Sequence, residues 1–212
     1  MLSFAYKWLG EKKIHVHSLN DYTGYKLHRE SDKLLVIDLW ELLDHADIAV
    51  GHNADRFDLR KSNARFIAHG LAPPSPYKSI DTLKIARKHF KFDSNRLDDL
   101  GAYLGVGRKL PHTGKHLWLG CMNGDAKAWR TMRRYNAQDV ALLERVYLKL
   151  RPWSSSHPNL NLYTRASACQ VCQSPQIIRN GRRVLRSGYR QQFRCQSCGH
   201  QFYDGPIMRY ED

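Results

Sequence analysis

Residues 48–58 read IAVGHNADRFD, and the fold of the chain turns on this stretch. Ile48, Ala49 and Val50 form a short apolar run of the kind a buried strand uses. Gly51, His52 and Asn53 then break it with turn-forming residues. Phe57 and Asp58 open a basic segment, 58–70, which reads as a helix stopped by Gly70. Strand, polar turn and helix in immediate succession is the unit from which α/β layers are built.

The flanking sequence extends that pattern. Residues 2–19 (LSFAYKWLGEKKIHVHSL) read as two strands joined at Gly10-Glu11, with alternation in Ile14-His15-Val16-His17. Residues 32–46 (DKLLVIDLWELLDHA) give an amphipathic helix. The segment 71–79 (LAPPSPYKS) is proline-rich and reads as a loop. Asp81 is placed to cap a helix beginning at Thr82, residues 95–105 form another ending at Gly105, and a loop surrounds Pro111–Gly114. A long helical region covers 125–150 and ends before Pro152. Two strands followed by alternating strand and helix predict an α/β layer fold.

Composition narrows the functions open to such a chain. Its 212 residues suit one ordinary domain with a small appendage, and the 42% hydrophobic content is too high for a disordered chain. No apolar run approaches a membrane span, and MLSFAYKWLGEKK lacks the order of a signal peptide. The expectation is a cytoplasmic protein, of a bacterial or phage-infected cell, with no membrane partner. The formal charge of +14 draws polyanions, of which nucleic acid is the commonest inside cells. A solvated basic surface without a specific partner is the bland alternative.

After Leu150 the composition changes. Residues 151–165 carry prolines and serines without periodicity and read as a linker, leaving 166–212 as a separate module. Beyond Lys149 there is no lysine but nine arginines: Arg151, Arg165, Arg179, Arg182, Arg183, Arg186, Arg190, Arg194 and Arg209. Arginine matches phosphate oxygens bidentately. Here Cys169-x-x-Cys172 and Cys195-x-x-Cys198 stand 22 residues apart. Four thiolates so spaced can close a tetrahedron around structural Zn²⁺, against a redox pair or coincidence. Asn180-Gly181 is a hairpin signal joining QIIR to RRVLR, with YRQQFR as a third strand. A sheet this small needs a staple, which a metal provides. Cys121 reads as a small buried hydrophobe. His200 is a spare ligand candidate.

Tyr135 and Asp139 lie one turn apart on the helical stretch MRRYNAQDVALL, so both project from one face. They are either an ordinary surface pair or a water-positioning phenol beside a metal ligand. Asp58 is either a helix N-cap or a functional carboxylate. Asp139 could simply pair with Arg134 or Arg145.

With Asn53, Phe57 and Asp58 in the order N-x-x-x-F-D, and Tyr135 and Asp139 as Y-x-x-x-D, residues 1–150 resemble the DEDD-superfamily (DnaQ-like) 3′–5′ exonucleases of the tyrosine subclass. DTLKIARKHFKF and RLDDLGAYLG add to the likeness. It implies a ribonuclease H-like mixed sheet with flanking helices, and two Mg²⁺ or Mn²⁺ ions. By the same likeness Asp139 would hold the metal that activates water, Asp58 would support the second, and Tyr135 would orient the water. Asn53 would contact nucleic acid. The segment NGRRVLRSGYRQQFRCQSCGHQF resembles the zinc ribbons of insertion-element transposases. That implies nucleic-acid contact by Arg182, Arg183, Arg186, Tyr189 and Arg190, on DNA with single-stranded ends.

The DEDD superfamily also uses a D-x-E motif on its opening strand, and no D-x-E occurs in this sequence. LSFAYKW looks like the family's second strand, so the first is expected from an earlier start or a separate polypeptide. Asp38-x-x-Glu41 has the wrong spacing and lies in an amphipathic helix. The expected function is therefore that of a metal-dependent 3′–5′ exonuclease-like protein, incomplete or inactive as a lone chain. The alternative is a non-catalytic DNA-binding module built on the same basic groove and zinc ribbon.

Overall fold

In the computed structural model, which describes residues 1–111, 114–164 and 167–209, the first strands form a small antiparallel ladder. β1 (Ser3–Tyr6) pairs with β2 (His15–Ser18), Phe4 opposite His17 and Tyr6 opposite His15. Both pairs stack ring on ring at 4.8 Å. The other face of this ladder meets the long C-terminal helix of the unit, where Asn136 Nδ2 donates to Ser3 Oγ at 2.6 Å.

β3 (Ile48–Gly51) runs parallel to β4 (Lys78–Asp81). β4 takes the end of the stretch expected to be loop: its first two residues, Lys78 and Ser79, lie beyond the prolines and are free to pair. Parallel and antiparallel pairing thus both occur, but in two separate two-stranded sheets among the described residues, where one mixed sheet was expected.

The helices fall where apolar spacing places them. α1 (Lys33–Asp44) buries Leu35, Val36 and Leu43, and α2 (Asp58–Ala68) buries Phe66. Val36, Leu43 and Phe66 form one apolar cluster. Each such side chain contributes about 1.5–3 kcal/mol on leaving water. α3 (Thr82–His89) is capped as expected, Asp81 accepting from the Leu83 amide at 3.0 Å. α4 (Leu97–Tyr103) follows. α5 (Lys115–Met122) was not marked by the sequence, because its flanking glycines obscured an eight-residue helix. It buries Leu117 and Cys121 beside Trp129 and Met132 of α6 (Ala126–Leu150). Cys121 is fully buried, and burial pushes its thiol pKa up, as expected of a small core residue. No helix among the described residues is long and apolar enough to cross a membrane.

The chain forms two units, Met1–Leu148 and Lys149–Asp212. In the second, the stretch read as a linker is bound to the cysteine module. It carries a short 3₁₀ turn at Arg151–Trp153 and α7 (Asn161–Thr164). Leu160 N donates to Gln170 O at 2.9 Å, and Asn161 Nδ2 to Ala168 O at 2.8 Å. Its asparagines and serines act as hydrogen-bonding groups, which composition alone reads as looseness. Arg165 and the end of the expected linker lie outside the described residues.

β5 (Ile177–Leu185), β6 (Gly188–Cys195) and β7 (Gln201–Met208) make an antiparallel sheet in that order. Asn180-Gly181 is therefore not a hairpin. It is a bulge inside β5, between Arg179 opposite Phe193 and Arg182 opposite Gln191, with Gly181 at φ +79°. A left-handed residue suits either role, and strand pairing on both sides decides for the bulge. YRQQFR is consequently the middle strand, and Gln201–Met208 supplies the third.

Candidate carboxylate site and cysteine cluster

The turn HNADRF is built around one carboxylate. Asp81, 5% exposed at the end of β4, accepts from Asn53 N at 2.8 Å and Asp55 N at 3.3 Å as well as capping α3. Asn53 takes φ +60°, a left-handed conformation that asparagine tolerates. A Cβ on Gly51 would come within 2.3 Å of Ala54 Cβ, so only glycine lets β3 turn this tightly. His52 is held between Thr82 Oγ1 (2.9 Å) and the Asn95 carbonyl (3.0 Å), and burial pushes its pKa down. That is a supporting role.

This turn delivers Asp58 to the first turn of α2. Phe57 is the N-cap, and no side chain caps the helix, so Asp58 is not spent as a cap. Burial raises its carboxyl pKa, the nearby Asp81 adds to the rise, and its own amide and Lys109 oppose it. Asp139, on α6, pairs with Lys109 at 2.7 Å and not with Arg134 or Arg145. Arg145 instead donates to the Val106 carbonyl at 3.1 Å. The Lys109 ammonium also lies 3.4 Å from the Tyr135 hydroxyl. Tyr135 is half-buried against the Trp129 cluster, and its pKa is raised first by burial and then by Asp139. The second oxygen of Asp139, Oδ1, is buried without a hydrogen-bond partner.

Lys109 thus joins Tyr135 to Asp139, while Asp58, on α2, feels its charge without a direct contact. Asp38 and Glu41 do lie within α1, and Asp38 is engaged elsewhere, by Tyr22 OH and by His17 Nδ1 at 3.1 Å. Lys109 and the structural role of Asp81 toward this turn escaped the sequence reading. Lys109 sits in an aperiodic loop, GVGRKLP, where nothing distinguishes it from Arg108. An open groove of about 520 Å³ beside β2 is lined by Lys13, His15, His17, Arg133 and Arg134, giving this unit a basic surface as well.

In the second unit the four cysteines converge. Their sulfurs all lie within 4.8 Å of one another, with Cys169–Cys198 at 3.7 Å and Cys172–Cys195 at 3.6 Å. Tetrahedral Zn–S bonds of about 2.3 Å place sulfurs about 3.8 Å apart, so the donor set fits zinc. Burial works against ionising Cys195, but the amides of Cys198 and Ser197 outweigh it and bring its thiol to about 7. His200 is not among these donors: its Nδ1 lies 2.8 Å from the Pro152 carbonyl.

Of the five ribbon residues expected to touch nucleic acid, four divide between the two faces of the sheet. Arg182 lies 4.5 Å over the Tyr189 ring on one, while Arg183, opposite Arg190, lies on the other. Arg186 is exposed in the β5–β6 turn.

An α/β unit with partly desolvated carboxylates on α2 and α6 and an arginine-rich cysteine module together describe a nucleic-acid-processing class of protein. The chain belongs to the RNase_H superfamily: the family model RNase_H_2 matches residues 9–151. That membership brings a nuclease-like, nucleic-acid-processing role and nucleic-acid binding, and folds of this superfamily usually use divalent metals. The match spans Asp58, Tyr135 and Asp139 and stops before the cysteines. A comparison with curated proteins finds no match.

The carboxylates fit only in part the divalent ions that the superfamily implies. The orphaned Asp139 Oδ1 has room in its chemistry for a cation. Yet the Cys169, Cys172, Cys195 and Cys198 set is the only group of three or more metal-ligating side chains that converges among the described residues. Asp58 and Asp139 alone do not make a two-metal centre, which needs carboxylates to bridge and flank both ions.

Proposed function

We propose that this chain is a 3′–5′ exonuclease-like protein of the tyrosine subclass whose carboxylate set is completed by a further acidic strand. Supporting this are the partly desolvated Asp58, not used as a helix cap, and the Lys109–Asp139 pair, with Tyr135 one turn from Asp139 and Asp139 Oδ1 left unsatisfied. A buried carboxylate oxygen without a partner is costly unless function requires it. Among the described residues β1–β2 and β3–β4 are not paired with each other, so an added strand has backbone edges to pair with. In this reading Asp58 and Asp139 hold Mg²⁺ or Mn²⁺, Tyr135 directs water, and Asn53 meets the strand being cut. The cysteine module binds structural zinc and holds DNA through its arginines. Tyr189, under Arg182, adds an aromatic surface.

The experiment is digestion of a 5′-labelled single strand with Mn²⁺, with and without a peptide or N-terminal fusion carrying D-x-E. The expected result is trace activity alone and a gain of orders of magnitude when supplied. In the supplied protein Asp58→Ala and Asp139→Ala abolish cutting, and Tyr135→Phe lowers it less, because it removes only one hydroxyl. Full activity that survives Asp139→Ala would overturn the assignment.

One observation favours a second reading, a non-catalytic DNA-binding module. Lys109 already neutralises Asp139, as a permanent cation does in a site that has given up its metal. No cutting in the supplied protein, with DNA binding retained, would select it.

A further inference from the structure

The register of the ribbon sheet separates its side chains into two sets. Residues opposite one another share a face, and faces alternate along each strand. Phe193 opposes Phe202, and both face the buried cysteines with Cys195. On the reverse face, Arg183 opposes Arg190, Gln192 opposes Tyr203, and Arg194 opposes Gln201. That face therefore carries three guanidinium groups, two amides and one phenol across three strands, with the exposed Ile178 opposite Arg194.

Three features set it apart from an ordinary solvated surface. Arg183 and Arg190 are direct cross-strand neighbours, and like charges in that position destabilise a sheet. Among the described residues none of Arg183, Arg190 and Arg194 makes an ion pair. Asp204, the acidic residue of β7, opposes Gln191 and so belongs to the other face. Finally, Tyr203 is 37% exposed with the Arg183 guanidinium 4.8 Å from its ring centroid, so the ring is held in place yet open. Side chains of Arg190, Gln192 and Arg194 follow one another about 7 Å apart along β6. This is a track of cations beside an exposed ring.

We propose that this face is a binding site for single-stranded nucleic acid, in which Arg183, Arg190 and Arg194 take successive phosphates and Tyr203 stacks on a base. It rests on the nucleic-acid role proposed above and adds the face that binds and its stacking residue, Tyr203. Single strands are favoured because they expose base faces to an aromatic side chain, whereas a blunt duplex hides them and offers phosphates alone. An acidic protein would satisfy the arginines but gains nothing specific from the ring. The exposed ring on this face is Tyr203; Tyr189 lies on the opposite face, is less exposed, and likewise has an arginine, Arg182, over its ring.

The test is fluorescence anisotropy on the full zinc-loaded chain, with a labelled 15-mer oligothymidylate, a blunt duplex of the same length and polyglutamate as competitor. The native chain should bind the single strand more tightly than the duplex. Tyr203→Ala should weaken single-strand binding about tenfold and leave duplex binding nearly unchanged, while Tyr203→Phe restores it. Arg190→Ala with Arg194→Ala should reduce the slope of log affinity against log salt by about one to one and a half. Tyr163→Ala removes an exposed aromatic elsewhere in the unit and should change nothing. Zinc content reports whether each variant is folded. If Tyr203→Ala misfolds, the paired arginine variant and Tyr203→Phe decide. Tight single-strand binding indifferent to Tyr203 and to both arginines would overturn this site and leave the nucleic-acid role standing. Failure of the native chain to bind either nucleic acid at low salt would overturn both. Displacement by polyglutamate as readily as by unlabelled oligothymidylate would assign the face to an acidic protein instead.

Discussion

Lys109 Nζ donates to Asp139 Oδ2 at 2.7 Å, joining a loop after α4 to the middle of α6, with the Tyr135 ring centroid 5.5 Å from the same ammonium. Burial alone would lower the lysine pKa, but the Asp139 hydrogen bond and charge outweigh it, and the pKa is raised. A base whose pKa rises on folding stabilises the fold below its unfolded value, about 10.4, and loses that contribution as pH climbs through the folded value. Lys109→Met should therefore cost about 1 kcal/mol at pH 7, a fall of roughly 2–4 °C in melting temperature. The difference between native and variant should shrink in melts taken above about pH 10.5. An unchanged melting temperature at pH 7 would show that the pair contributes nothing.

Asp58 gives the opposite sign. Its carboxyl pKa is raised by burial and by Asp81, so at neutral pH its charge works against folding. That penalty vanishes as pH falls below the unfolded carboxylate value near 3.9. Asp58→Asn should therefore stabilise the protein at pH 7, by roughly 1–2 °C after allowing for solvent screening, and should have no effect near pH 3. Thermal melts at the two pH values check it. Destabilisation at pH 7 would mean that Asp58 is a structural residue.

What the sequence made legible, and what it hid, follows from the range of each interaction. The helices α1, α2, α3 and α6 were readable because apolar spacing and a capping aspartate are local. So was the ladder of β1 and β2, whose alternation lies within a few residues of its turn. The Asn180-Gly181 step was misread because a left-handed pair permits either a hairpin or a bulge, and only pairing with β6 distinguishes them. Tyr135 and Asp139 could be placed on one helix face, but their partner Lys109 lies 30 positions before Asp139 in an aperiodic loop. Tyr203 was invisible for a similar reason: its face is set by strand register, which one sequence does not display.

The cysteine module should depend on its metal. Its three strands bury little apolar side-chain surface, with Cys169, Val171, Cys195 and Phe202 as the buried members. The native chain should carry one equivalent of zinc, about one ion per Cys₄ set. Chelation, or Cys195→Ser, should abolish hydrogen-exchange protection across β5–β7 while α1–α6 keep theirs. The unit Met1–Leu148 has its own apolar clusters, so its protection has a separate origin. Protected strands in a zinc-free protein would refute this.

Gly101 links packing to the carboxylate site. It lies in α4, where alanine would be favoured over glycine by about 1 kcal/mol if propensity alone decided. A Cβ there, however, would stand 2.6 Å from both the Gly107 carbonyl oxygen and Leu142 Cδ1. Leu142 is fully buried, and the Gly107 loop is tied back by Val106 N to Gly101 O at 2.9 Å and by Arg145 to Val106 O. Neither neighbour can withdraw without disturbing the segment that carries Lys109. Overpacking should therefore win, and Gly101→Ala should destabilise the chain by about 1–3 kcal/mol in urea unfolding. Because the displaced loop takes Lys109 from Asp139, adding Lys109→Met to Gly101→Ala should cost less than it does in the native background. Full additivity of the two substitutions would show that the loop accommodates the methyl group without moving the ammonium.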